Sequence, residues 1–205
     1  MTQSKLRLLL VALLAYSPSA HAIVGVFNLY HFVEQNHFGF GAEPFLDFTG
    51  GAGIGANARV TYGLTSLNNL QLTAGTGSGL RRLRFGPSFT FDFVPDIEGQ
   101  PGIGLGTQAI YYRMHTKGTT DNYGQLDTTL VPYIHKNFVT KGGEFEPFVA
   151  VPFGLAFLET VYKPTTSVVV GSMFKGGEHV RYVMELGIGL LHTDTYISAG
   201  VIYYP

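Results

Sequence analysis

The chain has 205 residues, of which 13% are charged and 27 are glycine; it has no cysteine and a formal net charge of −1. An ordinary soluble domain carries about 25% charged residues and about 7% glycine, so this composition fits a soluble domain poorly, and the near-neutral balance leaves no nucleic-acid footprint. Without disulfides, stability has to come from packing or from the surrounding solvent.

Residues 1–22, MTQSKLRLLLVALLAYSPSAHA, begin with Lys5 and Arg7, run apolar from Leu8 to Leu14 and end in Ala20-His21-Ala22. A basic start, a short apolar run and a small-residue end make a secretory signal peptide cut after Ala22. A membrane anchor would need about 18 apolar residues. Removing Lys5 and Arg7 from thirteen basic residues leaves eleven against fourteen acidic ones, so the mature chain is near −3. Residues 23–36 read either as a periplasmic lead-in or as a further strand. Residues 37–205 read as one domain.

Period-two alternation recurs along that domain, the mark of strands whose side chains point to opposite faces in turn. Strands are expected near 37–48, 52–62, 68–75, 81–94, 102–115, 124–137, 144–159, 166–175, 178–192 and 195–204. Turn chemistry separates them: TGG at 49–51, GTGSG at 75–79, PDIEGQPG at 95–102, KGTTDNYG at 117–124, TKGG at 140–143, KPTTS at 163–167, KGG at 175–177 and TDT at 193–195. Pro44, Pro87, Pro132, Pro147 and Pro152 fall inside strands, where each deletes a ladder donor; bulges or rim positions would accommodate them.

The two faces differ in kind. One carries Phe85, Phe89, Phe91 and Phe93, then Val151, Phe153 and Leu155, Leu186 and Ile188, and Val201 and Tyr203. The other carries glycine, small polar residues and single charges: Glu43, Arg59, Arg84, Asp92, Arg181 and Glu185. A water-facing sheet surface is rich in Lys, Glu and Asp. The polar face here is too glycine-rich and charge-poor for that, and lysines 117, 141, 163 and 175 sit in or beside the expected turns. The expectation is therefore an inverted protein: an all-β, closed antiparallel transmembrane β-barrel of about ten strands, with eight to twelve compatible with the pattern. The apolar set faces lipid and the polar set faces the lumen. Closed barrels and helices are the structures that satisfy every backbone group in a bilayer, and no mature segment is long and apolar enough for a helix. A soluble sandwich or lipocalin-like barrel is the alternative.

The signal peptide, the alternating hairpins and the last strand, YISAGVIYYP, resemble the small outer-membrane β-barrel proteins of Gram-negative bacteria, the broad OmpA/OmpX/OmpW-like group. The likeness is to an uncharacterised subset that includes phrases such as PDIEGQPGIGLGTQAIYYR and GSMFKGGEHVRYVMELG. Barrel-assembly signals in that group resemble a small or polar residue, then glycine, then spaced aromatics. Ser198, Gly200 and Tyr203 match, while Pro205 stands where a final aromatic is usual. The resemblance implies the outer membrane as location, its lipids as surroundings, the barrel-assembly machinery as partner during biogenesis, and a monomer.

Buried charges need partners. Glu43 with Arg59, Arg84 with Asp92, and Arg181 with Glu185 share inward parity and are expected to pair as a salt-bridged plug or as the lining of a narrow pore. His31, His37, His115, His135, His179 and His192 form no metal-ligand spacing and read as solvated rim residues. GLGTQA at 104–109 matches a loose dinucleotide pattern, but the residues after it continue as strand where a helix would be required; the glycines fit better as sites where a large side chain from across the lumen packs. His135 and Asp127 share inward parity without a positioned nucleophile. No cofactor, metal, nucleic acid or catalytic residue is expected. The functional expectation is a structural outer-membrane barrel or narrow passive pore, with a lipid-modifying or lipid-binding barrel, acting on lipid A or phospholipid, as the alternative.

Overall fold

The structure is a computed structural model that describes residues 33–49, 52–78, 80–115, 122–158 and 161–205. The expected signal peptide, most of the expected lead-in, His31 and the tips of several turns lie outside the described residues. Twelve strand segments follow in chain order: β1 (Phe38–Asp47), β2 (Gly53–Thr65), β3 (Asn68–Gly77), β4 (Arg81–Val94), β5 (Gly102–His115), β6 (Asn122–His135), β7 (Phe138–Thr140), β8 (Gly143–Ala150), β9 (Phe153–Leu158), β10 (Val161–Lys175), β11 (Val180–Leu191) and β12 (Tyr196–Tyr203). All pairings between them are antiparallel, neighbour to neighbour, and β12 returns to β1 through Phe40↔Tyr203 to Asp47↔Tyr196. β8 and β9 lie end to end between β6 and β10, as one strand broken at Val151–Pro152. β7 carries the line of β6 past Lys136–Asn137 and pairs with β8. The result is the closed ten-stranded barrel that the alternation predicts.

The expected bounds of β4 and β5 coincide with the observed ones. Elsewhere the ladder overrides local turn chemistry. Gly75–Gly77 remain in β3, and KPTTS at 163–167 is not a turn: Lys163, Pro164 and Thr165 pair with Ala156, Leu155 and Gly154. The prolines also differ from expectation. Register shifts fall at Gly63/Thr65, Arg81/Leu83, Asp92/Val94 and Thr166/Ser167, not at Pro44, Pro87, Pro132 or Pro147. Each of those four keeps a paired position on one flank, as Pro44↔Ala56 does. On its other flank, the ladder passes from Ala42↔Val201 to Phe45↔Ser198. A barrel strand has two neighbours, so a missing N–H weakens one seam and leaves the other intact. Of the five, Pro152 alone interrupts a strand.

Both termini of the described chain sit at one end of the barrel, with the turns at 66–67, 95–101 and 176–179. Residues 33–36 add no strand. Val33 is buried in the mouth, its N–H donating to Asn69 Oδ1 at 3.2 Å, and Gln35 bridges to Gly63. Gly63 faces the backbone of Val33 and Glu34, where any Cβ would collide.

Candidate functional site

The pleat sends alternate side chains into the lumen, and there they pack. Glu43, Arg59, Arg84, Asp92 and Glu185 are all buried inside, and Arg181 points inward at the mouth. The apolar set points out: Phe85, Phe91, Phe93, Val151, Phe153, Leu155, Leu186, Ile188, Val201 and Tyr203 are exposed on the wall, and Phe89 is half-buried there. Of the three assembly-signal positions, Ser198 is buried facing in, Gly200 follows on the same face, and Tyr203 faces out.

Three polar layers fill the lumen. At the end far from the termini, Arg81 contacts Asp194 and lies 3.8 Å from Asp47, while Asp194 also accepts from Thr49 at 3.4 Å. Burial pushes the Asp194 carboxyl up to about 6, against the opposing pull of Arg81. Below Arg81, the Arg84 guanidinium stacks on the Phe45 ring at 3.9 Å, and Gln125 donates to Asp127 at 2.7 Å.

In the central layer, Arg59 donates to Glu43 Oε1 at 2.5 Å, and Asn57 donates to the same oxygen. Arg59 also reaches Gln71 at 3.3 Å; Gln71 in turn donates to Thr61 and accepts from Ser88. The Tyr196 hydroxyl donates to Glu185 at 2.8 Å. Toward the termini, His135 lies between two carboxylates, with Nδ1 2.6 Å from Glu146 and Nε2 3.0 Å from Asp92. Tyr133 donates to the other Asp92 oxygen at 2.7 Å. At the mouth, Glu144 meets Lys175 at 3.1 Å and Arg181 at 3.9 Å.

Only one of the three expected charge pairs forms. Arg84 and Asp92 are eight residues apart on β4, so the strand's rise puts them in different layers. Arg84 stacks on Phe45, whereas Asp92 bonds Tyr133 and His135. Arg181 stays at the mouth with Glu144, two pleats from Glu185. His135 is likewise no rim histidine: it is 5% exposed and held inside the barrel. Asp127 lies eight residues up the same strand and takes no part in the His135 cluster. With both ring nitrogens set against carboxylates, His135 has none left to activate a hydroxyl.

Two features of the lumen escaped the face-by-face reading. Val131, Phe148, Ala150, Val169, Met173, Val183 and Ile202 form an apolar strip down the inner wall. Glycines are also register-paired with inward aromatics on the adjacent strand, not with side chains from across the lumen: Gly55 with Phe45, Gly102 with His135, Gly104 with Tyr133, Gly171 with Phe148 and Gly187 with Tyr196. In each pair a Cβ on the glycine would enter the partner's ring. The rings therefore lie against the wall over the glycines, which leaves the centre to charged side chains. The signal was present in the sequence as glycine on one strand and an aromatic on the next, but it needs the register to be seen.

A sum over the layers gives acid in excess. Asp47, Asp127 and Asp194 face Arg81 and Arg84; Glu43 and Glu185 face Arg59; Asp92 and Glu146 face His135. Each layer holds one carboxylate more than it holds basic groups. At the mouth Arg181 and Lys175 meet Glu144, and Glu34 and Glu178 line the same opening.

No protein-family model and no curated protein matches the chain. Solved structures do match in shape. The KdgM porin aligns over 80% of this chain and 98% of its own at 13% identity, with a TM-score of 0.40. A designed transmembrane β-barrel aligns over 85% of this chain and 100% of its own at 12% identity, with a TM-score of 0.41. An outer-membrane channel from Pseudomonas putida F1 aligns over 89% of this chain and 100% of its own at 10% identity, with a TM-score of 0.52. At that identity the likeness to the channel is one of fold, and the chain has the closed antiparallel architecture of a transmembrane barrel.

Proposed function

We propose that the mature chain is a monomeric outer-membrane β-barrel, exported through a cleaved signal peptide, whose lumen its own side chains close. It serves as a structural component of the membrane, with outer-membrane lipids around its wall and the barrel-assembly machinery as its partner during biogenesis. The inversion of its surfaces carries this reading. Leu72 on the outer wall is 58% exposed, while Glu43 inside is 1% exposed. Water would penalise the first arrangement and hydrocarbon favours it. Ionised groups buried in the lumen are tolerated because most are paired. The exposed outer positions Phe85, Phe91, Phe93, Val151, Phe153, Leu155, Leu186, Ile188, Val201 and Tyr203, with half-buried Phe89, form the lipid-facing set.

A narrow passive pore is the second reading, favoured by the fold shared with the P. putida outer-membrane channel. Reconstitution in planar bilayers separates the two. The closed barrel gives no stepwise conductance above the lipid background, whereas a pore gives steps that scale with salt. Fractionation tests the location: the protein should sediment with outer membranes and migrate faster unboiled than boiled. Recovery as a soluble periplasmic monomer would contradict the reading.

A further inference from the structure

We propose that the central layer of the lumen is a binding site for a small hard cation, alkali or alkaline-earth, held between the carboxylates of Glu43 and Glu185. The inference rests on the barrel reading only for the identity of the lumen. Its first support is charge. Among the described residues Arg59 is the basic group bonded within this layer, with Arg84 acting on Glu43 from farther off, and Arg59 and Asn57 both donate to Oε1 of Glu43. Its second support is a set of orphaned acceptors. Glu43 Oε2 and Glu185 Oε2 have no hydrogen-bond partner within bonding geometry among the described residues, and the Ser198 hydroxyl stands beside Glu185. Both carboxylates belong to side chains at most 2% exposed.

The register brings these groups together. Glu43 lies across β1–β2 from Asn57, Glu185 lies across β11–β12 from Ser198, and β12 runs between β1 and β11. The next inward residue of β12 after Ser198 is Gly200, so the Ser198 hydroxymethyl group is the side chain that β12 places between the two carboxylates. A buried carboxylate without a counter-charge is costly and retains either a proton or a cation. The orphaned atoms are all oxygens, the donor set of hard cations and not of zinc or copper. Among the described residues no group of three or more His, Cys, Asp or Glu could hold a metal ion, so the cation would rest on these two carboxylates and the oxygens beside them. An anion would find the Arg59 guanidinium already committed to Glu43.

The test uses the full mature barrel folded in detergent micelles, with thermal unfolding followed by circular dichroism at one slightly alkaline pH. Chlorides of potassium, calcium and N-methylglucamine are compared at equal ionic strength. A ligand that binds only the folded state raises the midpoint. The midpoint should therefore be higher in potassium or calcium than in N-methylglucamine, which is too large for the packed lumen. Glu185→Gln should unfold at the same temperature in all three salts. In N-methylglucamine it should unfold above the wild type, because the surplus charge is gone. Equal wild-type midpoints in all three salts would mean that the layer holds a proton and would overturn the proposal. So would a Glu185→Gln variant that kept its cation dependence. If that variant does not fold, wild-type crystals soaked in rubidium chloride decide the matter: an anomalous peak between Glu43 and Glu185 supports the site and its absence overturns it. These measurements are made on the folded barrel, so fractionation of the protein as soluble would sink the membrane reading without touching this one.

Discussion

Leu72 sits midway along β3, flanked by Val60 and Pro87 on the neighbouring strands, and its side chain points out of the barrel. Phe91 also points out, but it pairs with Asn68 beside the 66–67 turn, at the end of the wall. The cost of a charge on a lipid face depends on depth: about 2–4 kcal/mol for Arg at the midplane and about 0–1 kcal/mol near an interface. Leu72→Arg should therefore cost the larger amount in refolding titrations into lipid vesicles, and Phe91→Arg the smaller. Equal costs would contradict the depth assigned to the two. Inside, Gly55→Ala places a methyl group in the Phe45 ring and against the Thr76 carbonyl. Overpacking of this kind costs about 1–3 kcal/mol, and the displaced ring should release Arg84 from its stack. Gly142→Ala, in the open turn between β7 and β8, serves as the control: only the Thr140 hydroxyl, at 3.8 Å, approaches it. Which face each residue takes was legible from parity alone. The partner of each charge was not, because partners come from neighbouring strands and from height along the barrel, which parity does not encode.

At the scale of elements, β4 and β5 were readable because strict alternation meets a long Pro- and Gly-rich connection at 95–101. β10 was not, because Lys-Pro-Thr-Thr-Ser carries turn chemistry while its ladder to β9 holds it extended. Register also decides the energetics of the β1–β2 hairpin. Arg59→Met leaves Glu43 and Glu185 together without a guanidinium, and loss of a buried partner costs about 3–5 kcal/mol. Glu43→Met should cost less, because Arg59 can then serve Glu185. The double change should recover much of the Arg59→Met loss. A denaturant series on the four proteins checks this order, and a larger loss in Glu43→Met than in Arg59→Met would contradict the acid surplus of the layer. The β11–β12 turn adds a pH dependence. Asp194 binds its proton more tightly folded, at about 6, than at its ordinary value of 3.8. The folded state therefore holds more protons between those values, so the stability due to this group is complete below the lower value and is lost as pH rises through the upper one. Asp194→Asn should flatten the stability profile across that window relative to the wild type. An unchanged slope would mean that Asp194 does not titrate there.

At the scale of the whole molecule, the inverted surface was legible in the contrast between a phenylalanine-rich face and a glycine-rich face with scattered charge. The filled lumen was legible only in part, because the apolar strip from Val131 to Ile202 looks in sequence like more wall. The central claim is that the outer wall lies in hydrocarbon. The chain contains no tryptophan, so a single Trp placed at Leu72, Leu130 or Leu186, all mid-wall and exposed, reports alone. Each variant is refolded into vesicles of lipids brominated along the acyl chain and titrated separately with aqueous iodide. The account predicts strong quenching by bromines near the bilayer centre and almost none by iodide at all three positions. Quenching by iodide without quenching by the brominated chains would place the wall in water and contradict it.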